Sequence, residues 1–270
     1  MIAFRTATER ELSTVLGWAA DEGWNPGIDD AAAFFAADPG GFFVAVDGAE
    51  PVAAISVVNH TPDFAFLGLY IVRPAHRGKG IGIGLWRHAM AHAGPRCVGL
   101  DGVPEQQANY VRSGFTRAGS TTRFEGSVEA AAGSDIRPAT DADIPAMIGM
   151  EGAASGVQKR AYMSAWFTNT LNRRSYCSED GLVTIRKCRV GAKIGPLVAL
   201  DADSAWRLIR HAAGAFDGPV IVDVPAQSEA LARKCAARGL TPGFETARMY
   251  RGPAITGSNA VYAVASLELG

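Results

Sequence analysis

The segment Ile71-Val72-Arg73-Pro74-Ala75-His76-Arg77-Gly78-Lys79-Gly80-Ile81-Gly82 concentrates what could do chemistry. An apolar strand ends at Val72, and a basic, glycine-rich turn leads into a helix. Successive backbone N–H groups with little side-chain bulk, at the positive end of a helix, make an anion site. Arg77 and Lys79 add charge. The spacing decides which anion. A Walker loop needs Gly-Lys-Ser/Thr, but Gly80 follows Lys79 and supplies no hydroxyl for magnesium. The dinucleotide fingerprint fails too, because the windows opening at Gly78, Gly80 and Gly82 end on Ile83, Leu85 and Arg87. A purely structural turn is the plain alternative. Metal chemistry is not expected. Cys97, Cys177, Cys188 and Cys235 form no CxxC and fit reduced thiols. His88 and His92 share a helix face but lack a visible third ligand.

The elements around this turn repeat. Laying Phe4–Trp18 over Ile136–Met150 matches Arg5 with Arg137, Ala7 with Ala139, Thr8 with Thr140 and Gly17 with Gly149. Each copy predicts a short strand, a Thr cap and an amphipathic helix. A strand ending in Asp101 and a helix ending near Gly114 echo a strand ending in Asp223 and a helix ending near Gly239. The first copy predicts strands at 2–6, 42–47, 51–59, 64–72 and 96–101, helices at 8–21, 28–37, 80–93 and 104–113, and a strand pair around 115–125. Asp47-Gly48 marks a hairpin. The second keeps strands through Val261 to Leu269. Two α/β domains with mixed sheets follow, at 1–126 and 135–270, joined by a small-residue linker at 127–134.

Composition fits that plan. In 270 residues, 48% hydrophobic and 20% charged content describes a globular chain, and a net charge of −1 lacks the basic field of a nucleic-acid binder. No run approaches the about 18–20 apolar residues of a membrane span. Arg5, Glu9, Arg10 and Glu11 break up any secretory leader. The expectation is a cytoplasmic protein without nucleic-acid or membrane partners; the oligomeric state is not legible.

Val72-x-Pro74-x-x-Arg77-x-x-Gly80-x-Gly82, after a strand and opening a helix, resembles the pyrophosphate loop of the GCN5-related N-acetyltransferase (GNAT) superfamily. Tyr110, four residues before Gly114-Phe115, stands where that superfamily carries a tyrosine. Glu22-Gly23-Trp24-Asn25-Pro26-Gly27 in the first copy, with Ile194-Gly195-Pro196-Leu197, Asp223-Val224-Pro225 and Arg248-Met249-Tyr250 in the second, is similar to a tandem subgroup whose C-terminal domain keeps the fold without binding CoA. There, Asp201-Ala202-Asp203 and a helix from about Ser204 replace the glycine loop, and carboxylates repel a pyrophosphate.

The resemblance implies acetyl-CoA as acetyl donor, with its pyrophosphate on Arg77, Gly78, Lys79, Gly80, Ile81 and Gly82. The pantetheine arm would lie along Ile71 and Val72, where a backbone N–H near Ile71 polarises the thioester. The superfamily's Asn, eight residues before the tyrosine, is Gly102 here, which leaves Gln106 and Gln107 as amides for that arm. Tyr110 would protonate the departing thiolate; its other role is a core aromatic with a capped hydroxyl. An amine with a pKa near about 10.4 must lose a proton before attack. The usual strand Glu is missing after Asp63, which leaves Asp101 as base, orienter or turn cap. Glu22, Trp24 and Asn25, with Tyr70 on the cofactor strand, would form the roof and wall of an amine pocket. The implied activity is N-acetyl transfer to a primary amine, most simply of a small molecule, by direct attack in a ternary complex. A non-catalytic acyl-CoA sensor and a protein N-acetyltransferase remain open at this stage.

Overall fold

A computed structural model describes residues 1–270. Both copies begin with the same polar knot. After β1 (Ile2–Thr6), Thr8 and Glu11 close a capping box at the start of α1 (Glu9–Asp21), and Arg5 holds Glu11 from the strand. In the second copy Arg137 of β7 (Arg137–Pro138) holds Asp143, which also accepts from the Thr140 amide and hydroxyl. Thr140 therefore caps a turn, not the helix. The turn at Asp141–Asp143 intervenes, and α5 (Ile144–Ser155) starts beyond it with a proline in its first turn.

The first copy continues through α2 (Asp30–Ala37), β2 (Phe42–Asp47), β3 (Glu50–Asn59), β4 (Phe64–Val72), α3 (Ile81–Ala93), β5 (Cys97–Gly102), α4 (Pro104–Arg112) and β6 (Thr116–Gly126). The strand pair expected around 115–125 is the single strand β6. It has ladder partners on both sides, so no residue is free to turn. After α5 the second copy adds α6 (Arg160–Phe167), β8 (Arg173–Ser178), β9 (Gly181–Lys187), β10 (Ala192–Ala199), α7 (Ala202–Ala213), β11 (Val220–Pro225), α8 (Glu229–Ala237), β12 (Thr241–Arg251) and β13 (Val261–Ala263). Helix α7 begins two residues before Ser204, because the Asp201 carboxylate caps the amides of Asp203 and Ser204.

The two copies share one 13-stranded sheet, ordered β1-β2-β3-β4-β5-β12-β6-β11-β10-β9-β8-β7, with β13 beside β10. Each copy gives its last long strand to the other: β12 pairs with β5, and β6 pairs with β11. The exchange is bolted reciprocally. Arg248 on β12 grips Asp101 through two bonds of 2.9 and 2.7 Å, and Arg123 on β6 grips Asp223 through two of 2.7 and 2.9 Å. All four side chains are largely buried. Removing one partner of such a pair costs about 3–5 kcal/mol, because the other charge is left stranded.

The helices seal the same joint. Phe34 of α2 stacks on Trp166 of α6, with centroids 5.8 Å apart, inside a core that also holds Leu12, Tyr162 and Leu182. Asp30 is ion-paired with Arg173 and Arg186, whose guanidiniums lie 4.6 and 4.3 Å from the Trp166 ring. The segment 127–134 is pinned along α7, where Ala131 N–H donates to Arg210 O and Gly133 N–H to His211 Nδ1.

Candidate active site

Strands β4 and β5 run parallel only over Phe64–Leu67 and Cys97–Leu100. Beyond that they part, because β4 bulges at Leu69-Tyr70 opposite Ile55, with Leu69 at φ 48°. Arg73 N–H donates to Val52 O on β3, so antiparallel alternation turns the Ile71 amide toward β3 as well. The Val72 amide is left facing the gap. The turn above it is held by Arg77, whose Nε donates to Val72 O at 2.8 Å while its far end pairs with Glu22. Gly78 and Gly80 sit at φ 75° and 78°, a region that disfavours residues with a Cβ. The amides of residues 78–83 donate to no protein acceptor. They gather at the N-terminus of α3, where the helix dipole favours an anion. Gly82 lies close under Tyr70 and Val72: a Cβ there would stand 2.6 Å from the Tyr70 hydroxyl and 3.1 Å from Val72 Cγ2.

At the inner end of the gap is a cavity bordered by Trp24, Tyr70, Asp101, Gln106 and Tyr110 of the first copy and by Phe244, Thr246 and Glu268 of the second. The Tyr110 ring stacks on Trp86 at 5.8 Å, and burial raises its phenol well above the usual tyrosine range. At neutral pH it holds its proton, which suits a donor. Gly102 makes room for it: a Cβ at that position would lie 2.9 Å from the ring. Burial also raises the Tyr70 phenol. Asp101 is fully covered and held by Arg248, which its charge keeps firmly protonated.

The second copy shows what becomes of the same gap. Strands β10 and β11 pair over Ala192–Ile194 and Val220–Val222, then part as β4 and β5 do. The chain itself fills that gap. β13 pairs with Leu197 and Val198, Val264 N–H donates to Asp223 O at 3.2 Å, and a Cβ on Gly195 would lie 2.0 Å from Val264 O.

Residues 9–115 match the acetyltransferase (GNAT) family, and residues 147–263 match an acetyltransferase (GNAT) domain. Holothin acyltransferase from Pseudoalteromonas sp. (strain SANK 73390) is 33% identical over 276 residues, covering 98% of this chain and 94% of that protein. This chain is a tandem GNAT acyltransferase. Among solved structures, a putative acetyltransferase from Pyrococcus horikoshii is 19% identical with a TM-score of 0.83, over 100% of this chain and 96% of that one. A tandem GNAT protein from the clavulanic acid biosynthesis pathway is 16% identical with a TM-score of 0.64, over 94% and 100%. At these identities the likeness is one of fold.

In this GNAT chain the residues singled out from sequence fall into two groups. Val72, Arg77, Gly78, Lys79, Gly80, Ile81, Gly82, Tyr70, Trp24 and Tyr110 stand around the gap and its loop. Others are engaged elsewhere. The Asn25 side chain clips Val190 of the second copy through its amide nitrogen and oxygen. Gln107 donates to Gly102 O, so Gln106 is the amide that borders the cavity. Glu22 is paired with Arg77, and Asp101 with Arg248. His92 bonds Asp38, and His88 packs between Phe4 and Phe43. Sequence reasoning missed Phe244, Thr246 and Glu268. The one signal pointing to them was negative, namely a cofactor strand without its carboxylate.

Proposed function

We propose that the chain transfers the acetyl group of acetyl-CoA to a primary amine on a small molecule, by direct attack within a ternary complex. The observation that carries this is the continuity of the gap: free amides of residues 78–83 at its mouth, the Val72 amide along it, and Tyr110 at the cavity where it ends. The donor's pyrophosphate would lie on the loop amides, with Lys79 as an exposed counter-charge. A gap-facing amide would bear on the thioester oxygen, in place of the Ile71 amide turned into the sheet. As the nitrogen–carbon bond forms and the carbon–sulfur bond breaks, Tyr110 would hand its proton to the sulfur.

Small acceptors are favoured by the roof. Trp24 and Phe244 line the cavity, and the Trp24 carbonyl is fixed by Arg123 and Lys193. Incubation of the purified protein with acetyl-CoA and a panel of primary amines, with thiol release and product mass followed, tests the reading. Amine-dependent release with an acetylated product is the expected result. Thiol release without an acetylated amine overturns it.

A further inference from the structure

The last residues of the chain leave the second copy's filled gap and cross to the first. They are clipped on both sides of Glu268. Leu269 N–H bonds the Ser266 hydroxyl, Leu269 O is bonded by His60 Nε2, and Lys159 Nζ donates to Gly270 O. The Glu268 carbonyl lies where a Cβ on Gly68 would be 2.0 Å away, so only glycine beside the β4 bulge admits this path. Glu268 is thereby fixed beside the point where β4 and β5 part.

Its side chain is anomalous. Glu268 is 4% exposed and borders the same cavity as Tyr110, yet it makes no hydrogen bond or ion pair. Every other buried carboxylate has a cationic partner: Asp30 with Arg173 and Arg186, Asp101 with Arg248, Glu151 with Lys159, and Asp223 with Arg123. The cations whose charge reaches Glu268 direct their bonds elsewhere, Arg123 to Asp223 and Trp24 O, Lys193 to Trp24 O, and Arg186 to Asp30 and Ala265 O. Another polar atom on this wall lacks a partner and is fully buried, Thr246 Oγ1. A buried, unpaired carboxylate is costly unless something outside the chain completes it.

We infer that Glu268 binds the ammonium group of the acceptor and removes its proton, and that the acceptor is a primary amine whose apolar part lies against Trp24 and Phe244. The inference rests on the amine-acyltransfer reading and names the base that β4 lacks. One ammonium proton passes to the Glu268 carboxylate. The freed nitrogen lone pair forms the bond to the acyl carbon, and the carbon–sulfur pair leaves with sulfur, which takes the Tyr110 proton. The second nitrogen proton, lost as the adduct collapses, restores the Tyr110 phenol, and Glu268 returns its proton to water. Thr246 donates to an oxygen or ring nitrogen on the same acceptor.

The test uses Glu268→Gln in the full chain with 2-phenylethylamine as probe. At neutral pH kcat/KM for the amine should fall at least about 100-fold, within the usual range for an acid–base group. The loss should shrink about tenfold per pH unit as the free amine accumulates, while the KM for acetyl-CoA stays unchanged and the melting temperature holds or rises, since the substitution removes an uncompensated charge. Glu268→Asp should restore part of the rate. Wild-type rate and pH profile in Glu268→Gln overturn the inference. If the wild type acetylates no amine, the parent reading fails, and calorimetry decides this one separately. CoA-loaded wild type should bind 2-phenylethylamine, and Glu268→Gln should bind it at least tenfold more weakly. Equal binding by both, or none by the wild type, overturns it.

Discussion

Gly80 and Tyr110 fail in different ways when replaced. Gly80 has open space around its Cα, so a side chain meets no clash; the obstacle is its φ of 78°. Gly80→Val should twist the loop and shade its amides. Acetyl-CoA binding by calorimetry should weaken by about 2–3 kcal/mol, the scale of one or two charge-assisted hydrogen bonds. Tyr110→Phe keeps the ring against Trp86 and removes only the buried donor. Turnover should fall by about 10- to 1,000-fold, with CoA affinity unchanged. A normal rate at every pH would make Tyr110 structural. At this scale the loop was legible in the sequence because its chemistry is local: glycines, a helix start and basic residues within one stretch. The acceptor side was not. Asp101 ends a strand as a ligand residue would, but whether it is free depends on Arg248, 147 positions away.

The terminal segment shows how one element serves two gaps. Residues 261–264 fill the one between β10 and β11, and residues 266–270 brace the one between β4 and β5. The sequence predicted a strand through Leu269, yet only Val261–Ala263 pairs as one; beyond it the chain bonds side chains and bulged backbone instead. Its attachment should be sensitive to acid. Burial, reinforced by the Lys159 charge, pulls the His60 pKa down, against the Leu269 carbonyl bond and Asp38. The unfolded chain therefore binds this proton more readily than the folded one. Stability from this site is complete above about pH 6.5 and is lost as pH falls below it, by at most about 1.4 kcal/mol per unit. Melts between pH 8 and pH 5 should show this decline, and His60→Gln should flatten it while lowering the plateau.

At the scale of the molecule, the duplication was legible and the exchange was not. Arg5 and Arg137, Thr8 and Thr140, Asp101 and Asp223 announce two copies of one unit. A strand's partner, however, is written in no local pattern. β12 mixes polar and apolar residues without strict alternation, and nothing in it specifies β5 of the other copy in place of β11 of its own. The exchange follows from the reciprocal grip of Arg123 on Asp223 and Arg248 on Asp101, with the stack of Phe34 on Trp166 behind it. A cut near Ala131 should therefore do more than divide two modules. Fragment 1–130 would leave β5 with no neighbour on its β12 side, β6 without either partner, and the Asp101 carboxylate without Arg248. Three bare ladder edges and an uncompensated buried charge predict aggregation, and the cavity would lose Phe244, Thr246 and Glu268. Expressed alone, 1–130 should be insoluble or inactive despite an intact Arg77–Gly82 loop. Co-expressed with 131–270 it should assemble and recover activity, because the missing strands return in trans. A folded, fully active 1–130 would show that the strand exchange is dispensable.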